Sequence, residues 1–127
     1  MPEKKSHTKA KLKRIKSLEP DLETDIIKLH VSCLGYQPSS VTCKFLDTGD
    51  LYLLMEGIYS PPETFLASSG YHQTARRVRC KVNQILKRKL EALLLEHLNQ
   101  SPNSISLLKP ERSAELNFLA YLPIESL

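Results

Sequence analysis

Three cysteines and four histidines are the residues best suited to nucleophilic or metal chemistry: Cys33, Cys43, Cys80, His7, His30, His72 and His97. Their spacing supports neither. There is no C-x-x-C pair, no H-x-x-x-H and no H-E-x-x-H. His30 and Cys33 share a helical face, but two ligands fall short of a zinc set. No metal and no cofactor is expected. An odd number of widely spaced cysteines reads as a reduced, cytoplasmic protein whose thiols serve as small buried hydrophobes. Cys80 lies among Arg76, Arg77, Arg79 and Lys81, cations that favour a thiolate. The plainer expectation for it is a weakly nucleophilic, partly buried thiol. Among the carboxylates, Asp47 and Asp50 flank a turn and are explained by it. Glu63 closes the capping box Ser60-Pro61-Pro62-Glu63, which starts a helix rather than a reaction. No G-x-S-x-G, P-loop or glycine-rich phosphate loop is present. No residue is assigned a catalytic role, and a protein that is not an enzyme is expected.

The elements around these residues follow from periodicity. Glu19 to Leu34 reads as a helix opened by Pro20 and stopped by Gly35, with Leu22, Ile26, Leu29 and Cys33 as its apolar line. Val41, Cys43 and Phe45 alternate with Thr42 and Lys44, and Leu51, Leu53 and Met55 alternate with Tyr52, Leu54 and Glu56. An Asp47-Thr48-Gly49 loop sets Phe45 opposite Leu51, Cys43 opposite Leu53 and Val41 opposite Met55, giving one apolar face. A short helix from the capping box and a long one from about Tyr71 to Leu98 come next. The long helix is expected to bury Ala75, Val78, Val82, Ile85, Leu86, Leu90 and Leu93. Ile105 and Leu107 begin a third strand, and Leu116, Phe118, Ala120 and Leu122 mark a fourth. The order α-β-β-α-α-β-β predicts an α+β fold, a four-stranded antiparallel sheet with helices packed on one face.

Charge divides the chain. Its 127 residues carry a net +4 at pH 7, 41% hydrophobic and 25% charged residues, values of an ordinary globular chain. No apolar run approaches the roughly 18 residues that span a bilayer, and no signal-peptide h-region is visible. Lys4, Lys5, Lys9, Lys11, Lys13, Arg14 and Lys16 stand against Glu3 alone, a net +6 before residue 18. Residues 1–17 are therefore expected as a disordered basic tail, and 18–127 as a single domain. The tail is a candidate contact for nucleic acid or an anionic membrane, against the plainer reading of a solubilising extension. On the long helix Arg77, Lys81, Gln84 and Arg88 fall on one line, so Arg77, Lys81 and Arg88 join Lys11, Lys13 and Arg14 as candidate anion-binding residues. A solvated helix face is the competing explanation. A second surface lies on the far side of the sheet, where Tyr52, Leu54, Leu119 and Tyr121 put apolar groups on a face that should be polar. Leu94, Leu95 and Leu98 are expected to extend it. That face favours a homodimer or another protein partner.

From about Asp25 to Leu122 the order of features resembles the MpsC family, small bacterial proteins named for a sodium-translocating, membrane-potential-generating system. The resemblance rests on the helix ending in Gly35 before Pro38-Ser39-Ser40-Val41, the Asp47-to-Asp50 turn, and Leu54-Met55-Glu56-Gly57-Ile58-Tyr59-Ser60-Pro61-Pro62-Glu63. Gly70, the long basic helix and the strand around Phe118 to Leu122 add to it. Lys109-Pro110 stands where the family tends to carry an acidic residue, and the basic tail is extra. The resemblance implies a soluble accessory protein linked to membrane ion or bicarbonate transport, with no catalytic residues to carry over. A non-enzymatic cytoplasmic accessory or regulatory protein acting through protein contacts is the leading expectation. A nucleic-acid-binding module using the tail and the basic helix face is the alternative.

Overall fold

The computed structural model describes residues 13–98, 104–108 and 115–121. A helical turn at residues 13–16 precedes α1 (Glu19–Leu34), followed by β1 (Ser40–Phe45), β2 (Leu51–Glu56), α2 (Pro61–Ser68), α3 (His72–Leu98), β3 (Ser104–Leu108) and β4 (Glu115–Tyr121). The strands form one antiparallel sheet in the order β1-β2-β4-β3. This is the expected α+β arrangement.

The hairpin register is the one that makes a single apolar face: Val41 opposite Met55, Cys43 opposite Leu53, Phe45 opposite Leu51. Gly49 closes the turn at φ 92°, its N–H donating to the Leu46 carbonyl at 2.8 Å. Those six residues are buried with Leu116, Phe118, Ala120 and Ile105 from β4 and β3. Leu22 and Ile26 of α1 and Leu86, Leu90 and Leu94 of α3 complete the same core. Ile15 is buried there too. An aliphatic side chain ahead of α1 thus finds a place in the core.

Both long helices are rotated from their expected phase. α1 buries Leu22, Ile26 and His30, spaced by four, while Cys33 is exposed and Leu29 half-buried. The Tyr36 carbonyl draws His30 inward with a 2.8 Å hydrogen bond to Nδ1. α3 buries Leu86, Leu90 and Leu94, leaves Val82 and Leu93 half-buried, and exposes Val78 and Ile85. Leu94, expected at an outer interface, is fully buried; Leu98 packs on the core and Leu95 is exposed. Of the three thiols only Cys43 is buried; Cys33 and Cys80 are exposed.

β1 is an edge strand, and α1 covers its free side. The Cys43 N–H donates to Glu23 Oε1 at 3.2 Å and the Phe45 N–H to Glu19 Oε2 at 2.6 Å. Two amides that would otherwise face outward from an edge strand are bound by carboxylates of α1. Glutamates at positions 19 and 23 thus serve the sheet as well as the helix dipole.

Candidate functional site

The stretch between β2 and α2 turns sharply, and Gly57 allows it. Its φ is 64°, and a Cβ there would lie 1.9 Å from Ser39 Oγ. Any side chain would both strain the backbone and collide with the chain that enters β1. Ile58 follows, almost wholly buried, and then Ser60 caps α2 with the reciprocal bonds of a capping box. The Glu63 N–H donates to Ser60 Oγ at 3.3 Å, and Glu63 Oε1 accepts from the Ser60 N–H at 3.2 Å.

Glu63 is also half of a buried ion pair. Arg79, about two turns into α3, donates from Nε to Glu63 Oε2 at 2.9 Å and from Nη2 to Oε1 at 2.5 Å. The side chains are 5% and 12% exposed. Nη2 also donates to the Ile58 carbonyl at 2.7 Å, and Nη1 to Asn83 Oδ1 at 3.3 Å. The Tyr59 ring lies under the guanidinium, 5.4 Å from its carbon. The Tyr36 hydroxyl donates to the same Ile58 carbonyl. Burial pushes the pKa of that hydroxyl up, so it stays protonated as a donor. Beside it His30 stacks edge-on to the Tyr36 ring at 4.8 Å. A carbonyl only accepts, so His30 Nδ1 carries the proton. Burial first, and the Arg79 charge after it, lower the His30 pKa, the Tyr36 bond opposing them. Its Nε2 is buried with no partner among the described residues.

The cluster fastens four pieces of chain: the end of α1, the end of β2, the start of α2 and the first half of α3. Every Glu63 oxygen is engaged, and Arg79 is divided among three acceptors. Above the pair, α2 and α3 leave an open cavity of about 690 Å³. Tyr59, Ala67, Ala75 and Cys80 form its walls, and Thr64, His72 and Arg76 lie around it. Sequence reasoning read Glu63 as a cap only and Arg79 as one of the helix cations around Cys80. Neither the pair nor the cavity was signalled by spacing, since the partners lie sixteen residues apart on different elements.

The predicted surface residues fall into two groups. β2 and β4 are neighbours, so the outer sheet face does bring Tyr52, Leu54, Leu119 and Tyr121 onto one surface. Tyr52 lies directly opposite Leu119, and Leu54 opposite Asn117. Tyr52, Leu54 and Leu119 are half-buried and Tyr121 is exposed. The Tyr52 hydroxyl donates to Asn117 Oδ1 at 3.4 Å. Arg77, Lys81 and Arg88 are exposed along α3; Lys13 and Arg14 are exposed on the first helical turn. Lys11 lies outside the described residues. Among the described residues no group of three histidine, cysteine, aspartate or glutamate side chains is placed to hold a metal ion. No described helix is long and apolar enough to cross a membrane.

No curated protein and no solved structure matches the chain. Residues 14–106 match the family model described as "Na+-translocating membrane potential-generating system (MpsC)". That span takes in Gly35, the hairpin, Gly57, the capping box, Arg79 and the start of β3, among them the parts from which the central ion pair is built, and the chain belongs to the MpsC family.

Proposed function

We propose that this chain is a cytoplasmic, non-enzymatic accessory or regulatory protein that acts through protein contacts, its own dimerisation first, and serves membrane ion or bicarbonate transport. The observation that carries the reading is the outer sheet face. Tyr52, Leu54, Leu119 and Tyr121 occupy adjacent strands on the side away from the core, where a solvated antiparallel sheet carries polar residues. A two-fold pairing of such faces joins the same patch to itself. The buried ionisable pair gives indirect support, because Glu63 and Arg79 are spent on holding the elements together. Sedimentation equilibrium at tens of micromolar, roughly the range in which weak dimers form, tests the dimer. The wild-type chain should dimerise and Tyr121→Glu should shift it toward monomer. A strict monomer removes the dimer from the reading.

A second reading has its own observation. Arg77, Lys81 and Arg88 are exposed along one side of α3 and, with the tail lysines, would suit a phosphate backbone. Affinity for DNA or RNA should then fall steeply with salt. Titrations at two salt concentrations decide it, and the absence of binding at low salt ends it.

A further inference from the structure

α3 carries a second apolar line that the fold leaves open. Tyr71, Val78 and Ile85, each seven residues from the last, are 61%, 36% and 49% exposed. Ala75 and Val82 lie between them and are half-buried. The spacing of four, three, four and three is that of a heptad seam. It runs beside the core rather than into it, since Leu86, Leu90 and Leu94 form the adjacent line, about 100° further round the helix. From Val78 to Ile85 the line extends about 10 Å, and about 20 Å from Tyr71. Tyr71 belongs to it because its carbonyl accepts from the Ala75 N–H at 3.0 Å, as the first turn begins. Lys81 and Arg88 flank the line on the side away from the core, and Lys89, four residues past Ile85, continues it. None of the three makes an ion pair among the described residues.

We infer that this seam receives an acidic amphipathic helix of another protein, apolar residues of the partner meeting Val78, Val82 and Ile85 while its carboxylates meet Lys81 and Arg88. The inference rests on the reading that the chain works through protein contacts, and it names the chemistry of one partner. Charge complementarity selects the occupant. A second copy fits poorly. An antiparallel pair of α3 helices in the register that sets Val82 against Ile85 brings Lys81 toward Arg88 of the second copy. A parallel pair sets Lys89 against Lys89. Like charges opposed across a helix pair destabilise it. A nucleic acid would match the cations and leave Val78 and Ile85 without apolar contact. A bilayer surface calls for a wide apolar face, whereas this line is narrow, flanked by Lys81 and Arg88, and runs into Lys89. A helix with glutamate or aspartate flanking its own apolar seam satisfies both features at once.

The experiment uses the full chain and a labelled synthetic peptide of about three heptads, with isoleucine and leucine at the seam and glutamate at the flanking positions. A matched peptide carries lysine there instead. Fluorescence anisotropy should show the wild-type chain binding the glutamate peptide and not the lysine peptide. Val78→Ser with Ile85→Ser should weaken binding about tenfold or more, through lost apolar contact. Lys81→Glu with Arg88→Glu should reverse the preference toward the lysine peptide. All four positions are exposed, and thermal melts check that each variant stays folded. Affinity for the glutamate peptide that is indifferent to Val78 and Ile85 overturns the proposal. So does failure to bind either peptide, and so does binding to phosphatidylglycerol vesicles that depends on Val78 and Ile85 in place of the peptide. Sedimentation of the serine variant separates the two readings: an oligomeric state that depends on Val78 and Ile85 makes the seam a self-contact and overturns the acidic-partner inference, whereas dependence on Tyr121 bears on the sheet face alone.

Discussion

At the scale of single residues, Glu63 and Arg79 have the largest structural consequence. A buried ion pair is worth little net, since desolvation offsets attraction, but breaking it strands a charge. Arg79→Met leaves Glu63 with its capping bonds and no cation; Glu63→Gln leaves Arg79 with one amide oxygen, the Ile58 carbonyl and Asn83, and no anion. Each single change should cost about 3–5 kcal/mol, and the pair of changes together clearly less than their sum. Urea denaturation of the four chains gives the coupling, and additive losses would mean the two groups do not depend on one another. The thiols make a separate case. Burial, with Glu23 and Glu19 adding to it, pushes the Cys43 thiol up to about 12. Cys33 and Cys80 are exposed. A disulfide reagent at neutral pH should therefore label two thiols in the folded protein, with Cys43 reacting only on unfolding. A third thiol labelling at the rate of the other two in native buffer contradicts this.

At the scale of elements, local signals were legible and inward-facing polar groups were not. The hairpin register follows from alternation plus one turn glycine, because only one register keeps Val41, Cys43 and Phe45 on a single face. α2 follows from its capping box. The phase of α3 does not follow, for a physical reason. Hydrophobic periodicity assigns Val78 and Ile85 inward and Arg79 outward, but Arg79 and Asn83 turn in to meet a carboxylate and a carbonyl from other elements. The pairing energy is non-local, so no window of sequence contains it. α1 repeats the lesson on a smaller scale: His30 takes the place expected for Cys33 because Tyr36 offers it an acceptor. The outer sheet residues Tyr52, Leu54, Leu119 and Tyr121 were legible as a set because strand parity alone places them. The glutamates at the β1 edge supply an element-scale prediction. Glu19→Ala with Glu23→Ala leaves the Phe45 and Cys43 amides without their acceptors, at about 1–2 kcal/mol for each. It also opens an edge to a second chain. Lower stability by denaturation should come with increased light scattering on mild heating. Unchanged values of both would assign these glutamates to the helix dipole alone.

At the scale of the whole molecule, pH acts on the fold through His30, which lies where α1, the β2–α2 connection and α3 meet. The group is buried and neutral, with its pKa lowered from the ordinary 6.5 by burial foremost. The unfolded chain therefore takes up a proton at a higher pH than the folded one. Where the unfolded state binds more protons, stability rises with pH. The contribution of a neutral His30 is accordingly complete above pH 6.5 and is lost as the pH falls from there toward the lower folded value. Protonation in place would set a cation near the Arg79 guanidinium, in a site whose Nε2 has no described acceptor. His30→Gln keeps an amide donor for the Tyr36 carbonyl and removes the titration. Other groups titrate in both chains, so the informative quantity is the difference in unfolding free energy between them, measured at about pH 7.5 and about pH 5. The wild type should be the more stable chain at the higher pH and should lose that advantage at the lower. A difference that stays constant between the two pH values would mean that folding leaves the protonation of His30 unchanged, and the acid sensitivity of the fold would then have to arise among its carboxylates.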